Sequence, residues 1–432
     1  MMGAATCARQ AAAQPSDSRV QVRAEVRDRI EGFTNAGFTN GRDDAYNLAR
    51  VRMEVIVRPT RLVTLDVQAQ DARPFGKAIG TTGAPFRDVV NLHQAFVGVG
   101  DPARSPIRLR VGRQELSFGE ERLVGVANWL NAGRTFDGVR ATLQRPRYQV
   151  DVFGASVVAV RDRAFRDSSG HGNRLLGVYG NTAVLVPNSV VQPYVLWRRD
   201  RNIRAEVGPP GRLSETTIGA RWNGSMPARV EYGVEAAWQV GSVGSDTVRA
   251  WAGHWQLRRA LPAWTHARLA GEYNYASGDR DPTDGRRGTF DQLYATGHDK
   301  FGLADQVGWR NISHIRTTVD AEPIKRLTIA GSYHSWWLAD PHDGLYGAAG
   351  SMVARLAAGP SPRHVGQELD LQASHAVSPQ LRIAGGYAHV FPGAFLVRAT
   401  PGSALGFPYV AATYTFSTQT RKTVRTGGPG EP

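Results

Sequence analysis

Arginine is the chemically active residue of this chain, and it recurs at alternate positions within short segments. Arg19, Arg23 and Arg27 stand in phase with Gln21 and Glu25, Arg50 and Arg52 precede Glu54, and Arg108 and Arg110 form a further pair. A guanidinium grips a carboxylate or a phosphate through two parallel N–H bonds, so rows of them make a surface that handles anions. The 432 residues include 52 basic against 38 acidic, a formal charge of +14, and the only lysines are Lys77, Lys300, Lys325 and Lys422. A genome rich in arginine codons would give the same composition, so position must decide what these cations do.

Other constellations carry less. Asp279, Asp281 and Asp284, in the string SGDRDPTDG, offer oxygens to calcium, but Phe290 stands where a helix-hand calcium loop needs its glutamate. Calcium is the one cofactor the sequence leaves open, because the histidines show no metal-ligand spacing. Ser332 and His334 share a strand face as a nucleophile and base would, yet no acid is spaced to orient the histidine, so no enzyme is expected. The pI of 10.3 raises nucleic-acid binding, but no basic stretch is interleaved with a reader motif. Cys7 is the single cysteine, which leaves the body of the chain without disulfides.

These residues must be positioned by strands. Val230, Tyr232, Val234, Ala236, Trp238 and Val240 alternate with Arg229, Glu231, Glu235 and Gln239, a period of two. Similar segments fall at about 19–32, 45–58, 60–71, 89–99, 106–117, 134–144, 147–160, 173–186 and 189–203. They continue at about 213–224, 228–241, 245–260, 263–278, 307–321, 325–338, 364–378, 380–391 and 407–416, about eighteen in all. No uncharged apolar run approaches the ~18 residues of a helical span, which excludes helical membrane proteins and leaves a barrel.

The connections support closure into a transmembrane antiparallel β-barrel. Alternate ones are tight and contain proline: Arg58-Pro59-Thr60, Asp101-Pro102, Arg145-Pro146, Pro187-Asn188, Ser225-Met226-Pro227, Leu261-Pro262-Ala263, Glu322-Pro323 and Ser378-Pro379. The others include insertions at about 72–88, 118–133, 279–306 and 339–363, the short periplasmic turns and long extracellular loops of an outer-membrane barrel. An arginine facing lipid at the midplane costs about 2 to 4 kcal/mol. Arg23, Arg50, Arg52, Arg108, Arg110 and Arg140 are therefore expected to face inward, as are Arg221, Arg268, Arg310, Arg316 and Arg382. Asp66, Asp151, Glu231, Glu235, Glu272, Glu368 and Asp370 are candidate partners. Tyr148, Tyr232, Trp238, Trp264, Tyr275 and Trp309 are expected on the lipid face. Residues 1–17 read as a signal-peptide remnant or disordered N-terminus, 18–416 as the barrel, and 417–432 as a disordered periplasmic tail.

Three longer strings add a resemblance. LRVGRQELSFGEERLVGVANWLNAGRTFDGVR (109–140), FDQLYATGHDKFGLADQVGWRNI (290–312) and GQELDLQASHAVSPQLRIAGGYAHVFPGAFL (366–396) together resemble the alginate-export family of outer-membrane barrels, over roughly positions 19–416. The resemblance implies an 18-stranded outer-membrane channel whose electropositive, loop-constricted pore passes an anionic polyuronate. On this sequence it implies that Arg110, Arg113, Arg134 and Arg140 line the narrow part of the pore. Glu115, Glu120, Glu121 and Asp137 would orient them. The other reading of this block is a structural plug, with Phe118, Leu123 and Trp129 anchoring the loop at 118–133 to the wall, and the two readings are compatible. The residues alone say only that the solute is anionic. A general anion-selective porin for uptake of small acidic solutes is thus the alternative, with a non-conducting structural or adhesive barrel behind it. Expected partners are outer-membrane lipids, an anionic polysaccharide or small anion, and the barrel-assembly machinery, with the channel a monomer.

Overall fold

A computed structural model describes residues 19–418 apart from 102, 204, 206–208, 262–265 and 357–359. The expected terminal segments, Cys7, most of the tail, the turn at Pro102, the turn at Pro262-Ala263 and Trp264 lie outside the described residues.

Eighteen antiparallel strands follow one another around a closed sheet. They are β1 (Val20–Phe33), β2 (Asp44–Val57), β3 (Val63–Phe75), β4 (Asp88–Val99), β5 (Ile107–Gln114), β6 (Phe136–Arg145), β7 (Tyr148–Ala159), β8 (Ser168–Thr182) and β9 (Ser189–Ile203). Then come β10 (Gly211–Met226), β11 (Val230–Val243), β12 (Asp246–Ala260), β13 (Arg268–Ala276), β14 (Ile312–Ile324), β15 (Leu327–Leu338), β16 (His364–Ala376), β17 (Leu381–Pro392) and β18 (Leu405–Ser417). Closure is direct: β1 pairs with β2 along its whole length, and its other edge pairs with β18 from Arg23↔Ser417 to Glu31↔Tyr409. Among the described strands no barrel edge is left to expose unpaired backbone groups to hydrocarbon.

Alternation decides facing as the sequence predicted. On β2, Val51, Met53 and Val55 are exposed on the outside while Arg50, Arg52 and Glu54 are buried inside. On β11, Trp238 and Val240 face out, and Glu235 and Gln239 face in. Strand ends and both chain ends of the barrel gather at the side with tight turns. The opposite side carries the connections 34–43, 76–87, 115–135, 160–167, 204–210, 277–311, 339–363 and 393–404, and one tight hairpin at 244–245.

Two expectations need correction. Pro323 lies inside β14, at a register break between Ala321 and Ile324, and the turn itself is Lys325-Arg326. A proline that cannot donate to the ladder is accommodated by that irregularity. Trp309, expected on the lipid face, belongs to the connection 277–311 and is 1% exposed, its indole N–H donating to the Tyr275 carbonyl at 3.0 Å. Alternation was extended across a segment that is not strand.

The assigned facing predicts that Met53→Arg, on the outward side of β2, lowers the folding free energy in lipid vesicles by about 2 to 4 kcal/mol. Urea titration monitored by tryptophan fluorescence reads this, and an unchanged midpoint would contradict the facing.

Candidate functional site

The connection 115–135 turns inward and crosses the barrel, and arginines hold it there. Its Asn128–Asn131 stretch lies against β1 and β2. Arg27 donates to the Asn128 carbonyl at 2.7 Å, Arg29 to the Trp129 carbonyl at 2.8 Å, and Arg50 to the Asn128 carbonyl at 3.2 Å. Arg52 reaches the Asn128 side chain at 3.0 Å and Gln70 at 2.6 Å. A loop in a barrel interior would leave carbonyls without water, and the five N–H groups of each guanidinium supply the partners. Trp129 is clamped between the Arg29 guanidinium and the His298 ring, each 3.7 Å from the indole, with Tyr409 edge-on at 5.0 Å.

The other end of this connection reaches the far wall. Glu120 accepts from Arg221 of β10 at 2.6 Å, and Arg122 meets His254 of β12 at 3.2 Å and Asn274 of β13 at 3.3 Å. Burial opposes the Glu120 charge, but Arg122 and Arg221 outweigh it and hold the carboxyl below its usual range. The segment therefore spans the lumen from β1–β2 to β10–β13.

A second inward connection, 277–311, is zipped to the first. Val124 and Tyr294 form a parallel bridge, with Tyr294 N–H on the Leu123 carbonyl at 2.8 Å and Gly125 N–H on the Tyr294 carbonyl at 2.9 Å. Thr296 bonds Glu121 and accepts from Ala127 N–H at 2.9 Å. Gly125 is required here: a Cβ would lie 2.3 Å from the Thr296 hydroxyl. This second connection is fastened by Arg198 to Asp291, by Gln239 to the Asp291 carbonyl at 2.6 Å, and by Arg316 to the Asp299 carbonyl at 3.0 Å.

Behind the loops, five neighbouring strands carry a buried polar chain. His254 meets Asn274 at 2.7 Å, Asn274 meets His314 at 3.1 Å, and His314 meets His334 at 3.0 Å. His334 Nε2 lies 3.1 Å from Asp370. The chain ends on the loop, where Leu303 N–H donates to Asp370 at 3.2 Å and Ala304 N–H to Glu368 at 3.0 Å.

The arginines expected in the pore divide into distinct groups. Arg50, Arg52, Arg221 and Arg316 hold loops, as above. Arg23 pairs with Glu54 at 3.1 Å, Arg140 with Asp151 at 2.8 Å, Arg268 with Asp320 at 2.5 Å, and Arg108 with the Gln144 side chain at 2.9 Å, all between neighbouring strands. Arg110 faces inward with Phe96 5.0 Å away and, among the described residues, makes no ion pair. Arg134 is not a wall residue: it donates to the carbonyls of Gly125, Tyr294 and Ala295, stitching the two loops, and burial pulls its guanidinium down to about 10. Arg310 is also in a loop, on the Gly350 carbonyl at 3.0 Å.

Arg113 and Asp137 pair at 2.8 Å, but on the parity of Val111 and Val139, which face outward. Counting along the strand places them there, since Arg113 is odd where Arg108 and Arg110 are even. Glu115 holds His93 at 3.0 Å, and Glu121 holds the loop crossing. Among the calcium candidates, Asp279 accepts from Asp281 and Gly288 N–H, Asp281 from Thr283, and Asp284 from Arg286, so they close the loop's own turns. Among the described residues no cluster of three acids, histidines or cysteines has metal-holding geometry. The Ser332 hydroxyl meets Thr318 at 2.9 Å and Arg316 at 3.3 Å, whereas His334 meets His314 and Asp370. The sequence reading did not single out Arg29, although its phase with Arg23 and Arg27 marked it, and gave no sign of the Asn274 and His314 chain.

Removing the clamp should free the loop without opening the barrel. Trp129→Ala is expected to cost about 3 kcal/mol and to make 115–135 cleavable by added protease, while the heat-modifiable gel shift persists. A loop that stays protected in this variant would contradict the clamp.

Pseudomonas aeruginosa OccK11 (OpdR) shares 12% identity over 92% of this chain and 96% of its own, with a TM-score of 0.61. Pseudomonas aeruginosa OccK3 (OpdO) shares 15% over 92% and 96%, TM-score 0.62, and Acinetobacter baumannii OccAB2 shares 9% over 92% and 98%, TM-score 0.63. At such identities the likeness establishes the barrel fold alone. No curated protein matches the sequence. The family profile described as Alginate export matches residues 18–408. The chain belongs to the alginate-export family and is a bacterial outer-membrane channel protein.

Proposed function

We propose that this channel passes an anionic polyuronate across the outer membrane, through a lumen narrowed by the segment 115–135. The single observation that carries the reading is that segment's course: it crosses from Arg27, Arg29, Arg50 and Arg52 on one wall to Arg221 and His254 on the other. A polymer threading beside it would meet the inward guanidinium groups that the loops leave unengaged, whose forks match its carboxylates. Arg110, inward and without an ion pair, is the wall cation best placed to take part, with Arg140 directly opposite it in the ladder.

A second reading, an anion-selective porin for uptake of small acidic solutes, draws support from the number of loop residues fixed in the lumen. Two connections zipped together favour small permeants over a thick polymer. Strand pattern and charge carry no information on direction of transport, so the polymer itself is the discriminating probe.

In planar bilayers, polyuronate oligomers are expected to block the wild-type current in discrete events. Deleting residues 119–130 should raise single-channel conductance severalfold and abolish the block. A wild-type channel that the oligomers never block, with conductance unchanged by the deletion, would place the uptake reading ahead.

A further inference from the structure

The outer wall carries a second set of arginines that the channel does not use. Alternation puts Arg174 of β8, Arg199 of β9 and Arg212 of β10 on the outward face, and Arg201, at a register break of β9, lies beside Gly172 of β8; all four are exposed. They stand at the long-loop end of three adjacent strands. Directly below them on the same face lie Leu176, Trp197 and Ile218, exposed apolar residues of the lipid belt. The cations are thus continuous with the surface that lipid covers, at the level where acyl chains give way to headgroups.

Their arrangement is costly as it stands. Arg174 and Arg199 are register partners, and like charges directly opposite on a sheet face repel. The acids of the same strands do not relieve them: Glu215 is buried on the inward parity, and Asp200 is inward beside Arg198 at 3.7 Å. Among the described residues, none of the four makes a hydrogen bond or ion pair through its guanidinium. The aliphatic stem of Arg201 is nonetheless seated. It crosses Gly172, whose φ of +85 suits glycine and where a Cβ would lie 2.5 Å from that stem. Four guanidinium groups with no acid paired to them among the described residues, beside apolar wall, make a site for a multivalent anion with acyl chains.

We infer that this patch on β8–β10 binds a phosphorylated glycolipid of the outer leaflet, of the lipid A class, with its phosphates on Arg174, Arg199, Arg201 and Arg212 and its acyl chains on Trp197, Leu176 and Ile218. Arginine forks fit phosphate oxygens in pairs, and each basic side chain at a membrane surface adds to the attraction for anionic lipid. The long-loop end faces the cell exterior, so the outer leaflet is the one the patch meets. This site is independent of what the lumen transports.

Native mass spectrometry of the purified full-length protein in detergent tests it, with bisphosphorylated lipid A, the same lipid lacking both phosphates, and phosphatidylglycerol as probes. Wild-type protein is expected to retain bisphosphorylated lipid A roughly tenfold or more better than either other lipid. The variant R174Q/R199Q/R212Q should lose that preference while keeping its heat-modifiable gel shift. Equal retention of phosphorylated and phosphate-free lipid A by the wild type, a comparison that needs no variant, overturns the inference. So does phosphatidylglycerol retained as well as lipid A, or a folded triple variant that binds lipid A as the wild type does.

Discussion

Backbone hydrogen bonding in hydrocarbon is the constraint on which everything else here rests. Each unpaired N–H or C=O facing lipid costs several kcal/mol, so a sheet in the membrane must close on itself. The pairing of β1 with β18 is that closure, and it fixes two environments across one wall. Alternate residues must then be apolar on one side and free to be polar on the other. The segregation of Val51, Met53 and Val55 from Arg50, Arg52 and Glu54 is the direct result.

The same constraint returns inside. Two connections packed into the lumen bring carbonyls away from bulk water, and these too need donors. Arginine is suited to that work, because its donors are many, fixed in a plane and always charged. Arg27, Arg29, Arg50 and Arg134 spend their N–H groups mainly on loop carbonyls, and Arg23, Arg140 and Arg268 on cross-strand acids. A row of inward arginines is therefore first a scaffold for the loops. Guanidinium groups left over, such as Arg110, are those to which the proposed function assigns the solute.

The barrel was legible in the sequence because its signals are local. Period-two alternation, prolines in alternate connections and the energetic penalty for an arginine in lipid each act within a dozen residues, and strands such as β2, β11 and β12 follow their expected bounds closely. A loop constricting the pore was expected as well, at 118–133, but through the family resemblance. What could not be read is long-range. Trp309 sits inside because 277–311 folds into the lumen, and nothing nearby in sequence says so. Arg134 and Arg310 look like wall arginines until the strands are seen to begin at Phe136 and Ile312, and the chain from His254 to Asp370 exists only because five strands bring single polar residues into line. Arg113 differs, since counting its parity from Arg110 would have placed it outside.

The central claim, that a scaffold built from arginines also leaves the lumen favourable to anions, is tested most directly by the zero-current potential of the wild-type channel in a planar bilayer under a potassium chloride gradient. The account predicts a potential displaced toward the chloride equilibrium value. A displacement toward the potassium value would contradict it.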